Sequence, residues 1–258
     1  MGKLLNRIDS TKNPKVKNVK RLSKRKYRER EQQFVVEGWH LLEEVLTHNV
    51  EVQELLIAEN KDFPSEIDVS RLLVTVVTEQ VMNEMSYTET PQGILAICRM
   101  PAQEDVKIKQ RNNYLFVDGV QDPGNLGTII RTADAAGITA VILGEGTVDP
   151  YNDKVIRATQ GSLFHLSVIK GELEEWIDAC NQVKIPVFGT AAGQGTTHSA
   201  IAAQKGFALI VGNEGAGVQE KYLELADQNI YVPIYGNAES LNVSVATGIL
   251  LYHLKQSI

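Results

Sequence analysis

Two cysteines occur in 258 residues, Cys98 and Cys180, far apart and outside any CxxC pair. That argues against a disulfide framework and against a thiolate metal site, and buried thiols in a reducing compartment are the expectation. The five histidines (His40, His48, His165, His198 and His253) show no metal-ligand spacing, so no metal is expected. No apolar run approaches the roughly 18 residues of a membrane-spanning helix. The basic N-terminus has no apolar stretch behind it of the kind that marks a secretory signal, so a cytoplasmic protein is expected. The glycine patterns of the common nucleotide folds are missing too. There is no GxxxxGK[ST], and Gly212, Gly215 and Gly217 stand in the reverse of the GxGxxG order, which disfavours a nicotinamide dehydrogenase. No internal repeat is visible.

What is present is the composition of a globular protein, with 43% hydrophobic and 22% charged residues. The net charge of −6 conceals a polarity along the chain. Residues 1–30 hold twelve Lys/Arg and only two acids, a local charge of +10. The remainder holds fourteen against thirty, or −16. A basic arm on an acidic body suits a polyanionic partner, because each cation placed on a phosphate releases condensed counterions.

Periodicity divides the chain in two. Residues 1–100 read as the basic arm, one or two helices broken at Asn13-Pro14, followed by a small α/β domain. Leu4, Leu5 and Ile8, then Val16, Val19 and Leu22, form its first apolar stripes. Strands are expected at Phe34–Gly38, Val52–Ala58, Leu72–Val77 and Gly93–Cys98. Residues 101–113 are polar and read as a linker. From residue 114 to 258, strands near Leu115–Val120, Ala140–Leu143, Leu166–Ile169, Pro186–Thr190, Ala208–Gly212 and Ile230–Ile234 alternate with helices, one of them at Asp153–Thr159. That alternation implies a mostly parallel sheet with helices on both faces. Ligands bind such sheets at the carboxyl ends of the strands.

Three of those strand ends are rich in Gly and small polar residues: Gln121 to Arg131, Val211 to Gly217, and Ser240 to Ala246. The last follows a polar loop, Tyr235–Glu239, and opens a helix whose Leu241, Val245, Ile249 and Tyr252 fall on one stripe, expected to be core or dimer interface. Each junction alone is no more than a tight turn. Helix starts do carry unpaired N–H groups that bind small polar ligands.

The three blocks NLGTIIRTADAAG, LIVGNEGAGV and SLNVSVATGILLY resemble, in order and spacing, the motifs of the SpoU (TrmH-type) RNA ribose 2′-O-methyltransferases. FVVEGWHLLEEVL and TPQGILAIC resemble the small substrate-binding domain often fused in front of them. The resemblance implies an α/β fold closed by a deep trefoil knot, S-adenosylmethionine as cofactor, a homodimer with sites at its interface, and an RNA substrate, ribosomal before transfer RNA. A catalytically silent RNA-binding relative is the alternative it leaves. It places Thr190, Gly212, Val232, Ile234 and Leu241 around the cofactor, and Asn242 and Ser244 beside its methionine part. It also marks Asn125, Arg131, Glu214 and Asn242 as the polar site residues. Arg131 is the family's proposed base or activator, but a guanidinium has five donors and no acceptor. A grip on phosphate or ribose is the alternative, and a salt bridge to Asp134 or Glu214 is a third reading. Asn125 reads as a helix cap or an orienting group, Glu214 as a hydrogen-bonding or a catalytic residue, and Asn242 as a cap or a bridge between motifs.

Overall fold

The computed structural model describes residues 6–64, 67–102 and 105–255, so the stripe residues Leu4 and Leu5 fall outside it. Contacts divide the chain into two units: Met1–Ala102 with Tyr151–Phe164, and Gln103–Pro150 with His165–Ile258.

In the first unit the strands are β1 (Asn6–Ile8), β2 (Gln33–Glu37), β3 (Val52–Ala58), β4 (Val74–Val77) and β5 (Ile94–Arg99). They form one mixed sheet in the order β1-β4-β3-β5-β2, with β5 antiparallel to both its neighbours. The first helix, α1 (Pro14–Arg21), starts where Asn13-Pro14 requires. The Asn13 side chain accepts from Lys15 N, and proline at the first helical position gives up no hydrogen bond. After it come α2 (Arg25–Glu31), α3 (Trp39–Thr47) and α4 (Glu79–Met85). Val16, Val19 and Leu22 pack with Leu56, Met82, Met85 and Leu95 in one core. β1 was not expected: Ile8 is a strand residue, paired with Val77, and not part of a helical stripe.

Helix α6 (Asp153–Thr159) belongs to this unit by packing, although its sequence position suggests a crossover of the second sheet. The reason is aromatic. Phe34 of β2, wholly buried, has its ring 4.9 Å from that of Tyr151 and 6.0 Å from that of Phe164, the two residues that bracket the segment.

The second unit is a seven-stranded sheet, β10-β12-β9-β11-β6-β7-β8, in which every pair is parallel. Its strands are β6 (Asn113–Val117), β7 (Ala140–Leu143), β8 (Ser167–Lys170), β9 (Val187–Thr190), β10 (Thr196–Thr197), β11 (Phe207–Val211) and β12 (Gln228–Tyr231). The central strands are buried along their length, as sheets covered on both faces require. One face packs Tyr114, Phe116 and Ile210 against α7 (Leu173–Gln182) and α8 (Glu220–Leu225). The other carries α5 (Pro123–Ala135) and α9 (Val243–Leu254).

The C-terminal helix is held on several sides. It packs on α5, Gln204 N donates to Leu254 O at 2.8 Å, and His253 Nε2 lies 2.8 Å from Ile201 O. Lys255 Nζ closes the end of α5 through Ala136 O and, at 3.0 Å, Gly137 O. The segment that precedes β11, through Ile201 and Gln204, thus holds the C-terminal end of α9. Both thiols are buried, and burial pushes that of Cys180 up to about 12. Among the described residues no helix is long and apolar enough to cross a membrane.

Candidate active site

The carboxyl ends of β6, β9, β11 and β12 converge on one edge of the second sheet. Strand β6 sits where the strand order reverses, between β7 on one side and β11 on the other, and ligand crevices open at such switch points. The polar groups there form a connected set.

Two side chains that sequence reasoning passed over set the loop after β11. Asp118 is buried, with 2% of its surface exposed. Its carboxylate accepts from Gln219 N at 2.7 Å and Gln219 Nε2 at 2.6 Å. Asn213 accepts from Gly215 N and Ala216 N and donates to Gly119 O at 2.8 Å, tying the second motif to the first. Gly212 is there because nothing larger fits: a Cβ would lie 2.2 Å from the backbone of Gly217 and Val218. Their signal in sequence was position alone, a polar residue directly after an apolar strand or its closing glycine.

This loop presents Glu214 to the start of α5. Glu214 accepts from Gln121 N at 3.1 Å, Asp122 N at 3.0 Å and Asn125 Nδ2 at 3.0 Å. Burial would raise its pKa, but the donors from Asn125, Asp122 and Gln121 outweigh it and hold the carboxyl below the ordinary value. Asn125 is not the cap of α5. Asp122 is, accepting from Asn125 N at 2.8 Å. Asn125 instead spends its amide on Glu214 and its carbonyl on Asn242 Nδ2, at 2.8 Å. Asn242 does both things foreseen for it. It bridges to Asn125, and its Oδ1 caps α9 through Ser244 N at 2.9 Å and Val245 N at 3.4 Å. The directions are mutually forced: an ionised Glu214 needs the amide of Asn125, which turns the Asn125 carbonyl to the amide of Asn242, which turns the Asn242 carbonyl to the helix start. Three segments distant in sequence are locked by one chain of donors and acceptors.

Beside this chain lies a cavity of ≈ 710 Å³, within the usual range for small-molecule sites. Thr190, Gly212, Val232, Ile234 and Leu241 line it, as does Glu214 at its rim. Ser244 is not among the lining residues. It is buried at the first turn of α9, and its hydroxyl hydrogen-bonds Asn242 Oδ1, so the helix face in the cavity is Val243, Ala246 and Leu250. Strand β12 ends at Tyr231, short of the expected Ile234, because Pro233 has no N–H for a ladder. The helix begins at Val243 and not at Ser240. The stretch between is therefore irregular. No described residue hydrogen-bonds to the main chain of Val232, Ile234 or Leu241. Unpaired backbone groups along a cavity wall are what a polar ligand with its own donors and acceptors would satisfy.

Arg131 stands apart from the network. It is exposed on α5, and its side chain makes no hydrogen bond or ion pair with any described residue. The salt bridges considered for it do not form: Asp134 is taken by His165 at 2.7 Å, and Glu214 by its four nitrogen neighbours, including Asn213 Nδ2 at 3.4 Å.

Residues 112–252 match the model of the SpoU rRNA Methylase family, and residues 13–96 that of the MRM3-like substrate binding domain. The chain is 45% identical to the 23S rRNA (guanosine(2553)-2′-O)-methyltransferase RlmP of Bacillus subtilis, over 97% of this chain and 100% of that protein. It is 30% identical to the 23S rRNA (uridine(2479)-2′-O)-methyltransferase of Streptomyces viridochromogenes, over 90% and 85% of the two. Among solved structures, the AdoMet-bound rRNA methyltransferase of Sinorhizobium meliloti superposes with a TM-score of 0.86 at 31% identity, covering 97% of each chain.

Proposed function

From the fact that this chain belongs to the SpoU rRNA Methylase family, we propose that it methylates a ribose 2′-hydroxyl of ribosomal RNA, in the 23S molecule, using S-adenosylmethionine. The observation that carries the reading is the Glu214–Asn125–Asn242 chain, which fixes all three strand-end segments around one cavity of fitting size.

The cavity fits the cofactor in kind. The free main-chain groups of Val232, Ile234 and Leu241 would be available to the hydrogen-bonding edge of a purine. Gly212 lines the wall, and Leu250 and Ala246 offer apolar surface. Thr190 is a further polar lining residue. S-adenosylmethionine, when bound, supplies a methyl group on a sulfonium. The protein's part is alignment and charge. Holding two reactants in line contributes up to roughly 7–11 kcal/mol in ideal systems. Glu214 is unsuited to accept the hydroxyl proton, because its pKa is held low and its lone pairs already face donors. Its role here is to hold the loops. Arg131 has five donors and no ties, so it is free to grip the ribose-phosphate and to stabilise the oxygen as negative charge develops. The hydroxyl proton then leaves to water.

The protein acts as a homodimer in this reading. Ile234, Leu241, Val245, Ile249 and Tyr252 are each at least 36% exposed, and all belong to the last irregular segment and α9. Such an apolar face is normally covered by a partner. The unpaired buried thiols suit the cytoplasm.

The test is transfer of labelled methyl from S-adenosylmethionine to 23S RNA from a strain lacking the gene, followed by mapping of the modified nucleotide. Stoichiometric labelling at one ribose is expected. Cofactor binding without transfer to any ribosomal RNA would leave only a silent RNA-binding protein.

A further inference from the structure

The basic arm is not uniformly basic once folded. Helix α1 buries Val16 and Val19. Successive helical residues lie about 100° apart, so Lys15 and Lys20 flank this buried stripe while the exposed Lys17 and Arg21 lie on the far side of the helix. The flanking cations are neutralised. Lys15 Nζ lies 2.7 Å from Glu54 and Lys20 pairs with Glu84. Arg7 pairs with Asp9 at 2.7 Å and Glu59 at 2.6 Å. In α2, Arg25 pairs with Glu29, Arg30 with Glu31, and the buried Arg28 donates to Leu22 O and Ser23 O. The side chains of Lys12, Lys17, Arg21, Lys24 and Lys26 have no hydrogen bond or ion pair among the described residues. Arg21 and Arg30 lie 5.7 and 4.9 Å from the ring centre of Tyr27, which draws the end of α1 and the body of α2 together.

We propose that this outward ridge, Lys17, Arg21 and Lys24 flanked by Lys12 and Lys26, is the surface by which the N-terminal unit holds RNA phosphates, and that the paired cations take no part. The inference rests on the RNA substrate proposed above. Paired cations have no counterions to release, so only the free ones contribute to a polyelectrolyte equilibrium. Tyr27 is already engaged by two guanidiniums, so the ridge offers backbone contact and not base stacking. The remainder of the chain, at −16, repels the same polyanion, which leaves the few unpaired cations to carry its contacts.

The experiment compares two full-length double variants of equal charge at exposed positions, K17Q/R21Q on the ridge and R7Q/K20Q among the paired residues. Binding of an unmodified 23S rRNA transcript is followed from about 50 to 300 mM KCl. The ridge variant should bind about tenfold more weakly at 100 mM, with the slope of log K against log [salt] reduced by about 1.5–2. R7Q/K20Q should change the slope by less than about 0.5. Equal losses in both variants, or an unchanged slope for K17Q/R21Q, overturn the proposal. A charge-restoring K17R/R21K variant should bind as wild type, and failure to do so equally overturns it. Methyl transfer is measured alongside: ridge-dependent binding by a wild-type protein that transfers nothing supports the ridge while refuting the catalytic reading.

Discussion

In the proposed reaction Arg131 and Glu214 divide the work of the site by how they are bonded. One has no partner and the other has no lone pair to spare, so one is free to meet substrate and the other to hold structure. Arg131→Lys keeps the charge but loses the planar fork. It should lower kcat by on the order of 10²–10³ while leaving the calorimetric Kd for S-adenosylmethionine within about twofold. Retained turnover in Arg131→Lys would remove the residue from the reaction. Glu214→Gln keeps the shape but turns a donor toward N–H groups. It should weaken cofactor binding by about tenfold, the order expected for losing a hydrogen bond to a charged group at a solvent-screened site. Its pH dependence has a definite sign. A carboxyl with a lowered folded pKa contributes stability that is complete above its unfolded value and is lost as pH falls through the folded one. The difference in Tm between wild type and Glu214→Gln should therefore be constant from about pH 8 to 5.5 and shrink only in the acid range below about pH 4.5. A difference that vanished near neutrality would mean that Glu214 titrates there, as a base would. Glu214 was conspicuous in sequence as a polar residue in a strand-end turn, whereas Arg131, inside α5, was marked only by the family resemblance. Asp118 was not conspicuous, since it reads as the tail of an apolar strand. Ser244 was legible as polar but not as turned inward, because only the cap geometry of Asn242 decides where its hydroxyl points.

Helix α9 shows how an apolar pattern can be read correctly as a stripe without saying what it faces. Leu241, Val245, Ile249 and Tyr252 were expected to be core or interface, and the fold leaves them 36–56% exposed. The buried side of the helix is instead Thr247, Leu250, Leu251 and Leu254. Apolar residues on nearly all sides left the sequence without an amphipathic direction to choose. The exposed stripe carries its own prediction. Ile249→Glu together with Val245→Glu should convert a dimer to a monomer in sedimentation while preserving the far-ultraviolet spectrum, because neither side chain supports the protomer's core. If the wild type sediments as a monomer at micromolar concentration, the homodimer is wrong. The short strands were the least legible elements. β1 and β10 are three and two residues long, and edge pairing with β4 and β12, not any local propensity, makes them strands.

At the scale of the whole chain, order in sequence and order in space part company at Tyr151–Phe164. The alternation of strands and helices was sufficient to identify an α/β protein with a parallel sheet, since burial on both faces leaves its mark in continuous apolar runs such as LFV and LIV. Nothing local could reveal that α6 leaves the second unit and packs with the first, because an apolar helix reads the same wherever its partner lies. The consequence is testable by truncation. A chain lacking residues 1–102 keeps every strand of the seven-stranded sheet, so domain order alone predicts a well-behaved fragment. Packing predicts otherwise: Tyr151, Ile156 and Phe164 lose Phe34 and its sheet, and large-to-small losses at such sites cost about 3–5 kcal/mol. The fragment should bind a hydrophobic dye and aggregate on mild heating. Tyr151→Ser, Ile156→Ser and Phe164→Ser introduced together should then make the fragment soluble, yet lower the Tm of the intact protein. Opposite effects of the same three substitutions in the two backgrounds would be hard to obtain in any other way. A fragment that is monodisperse and dye-silent without them would show that the segment's packing on the first unit contributes little.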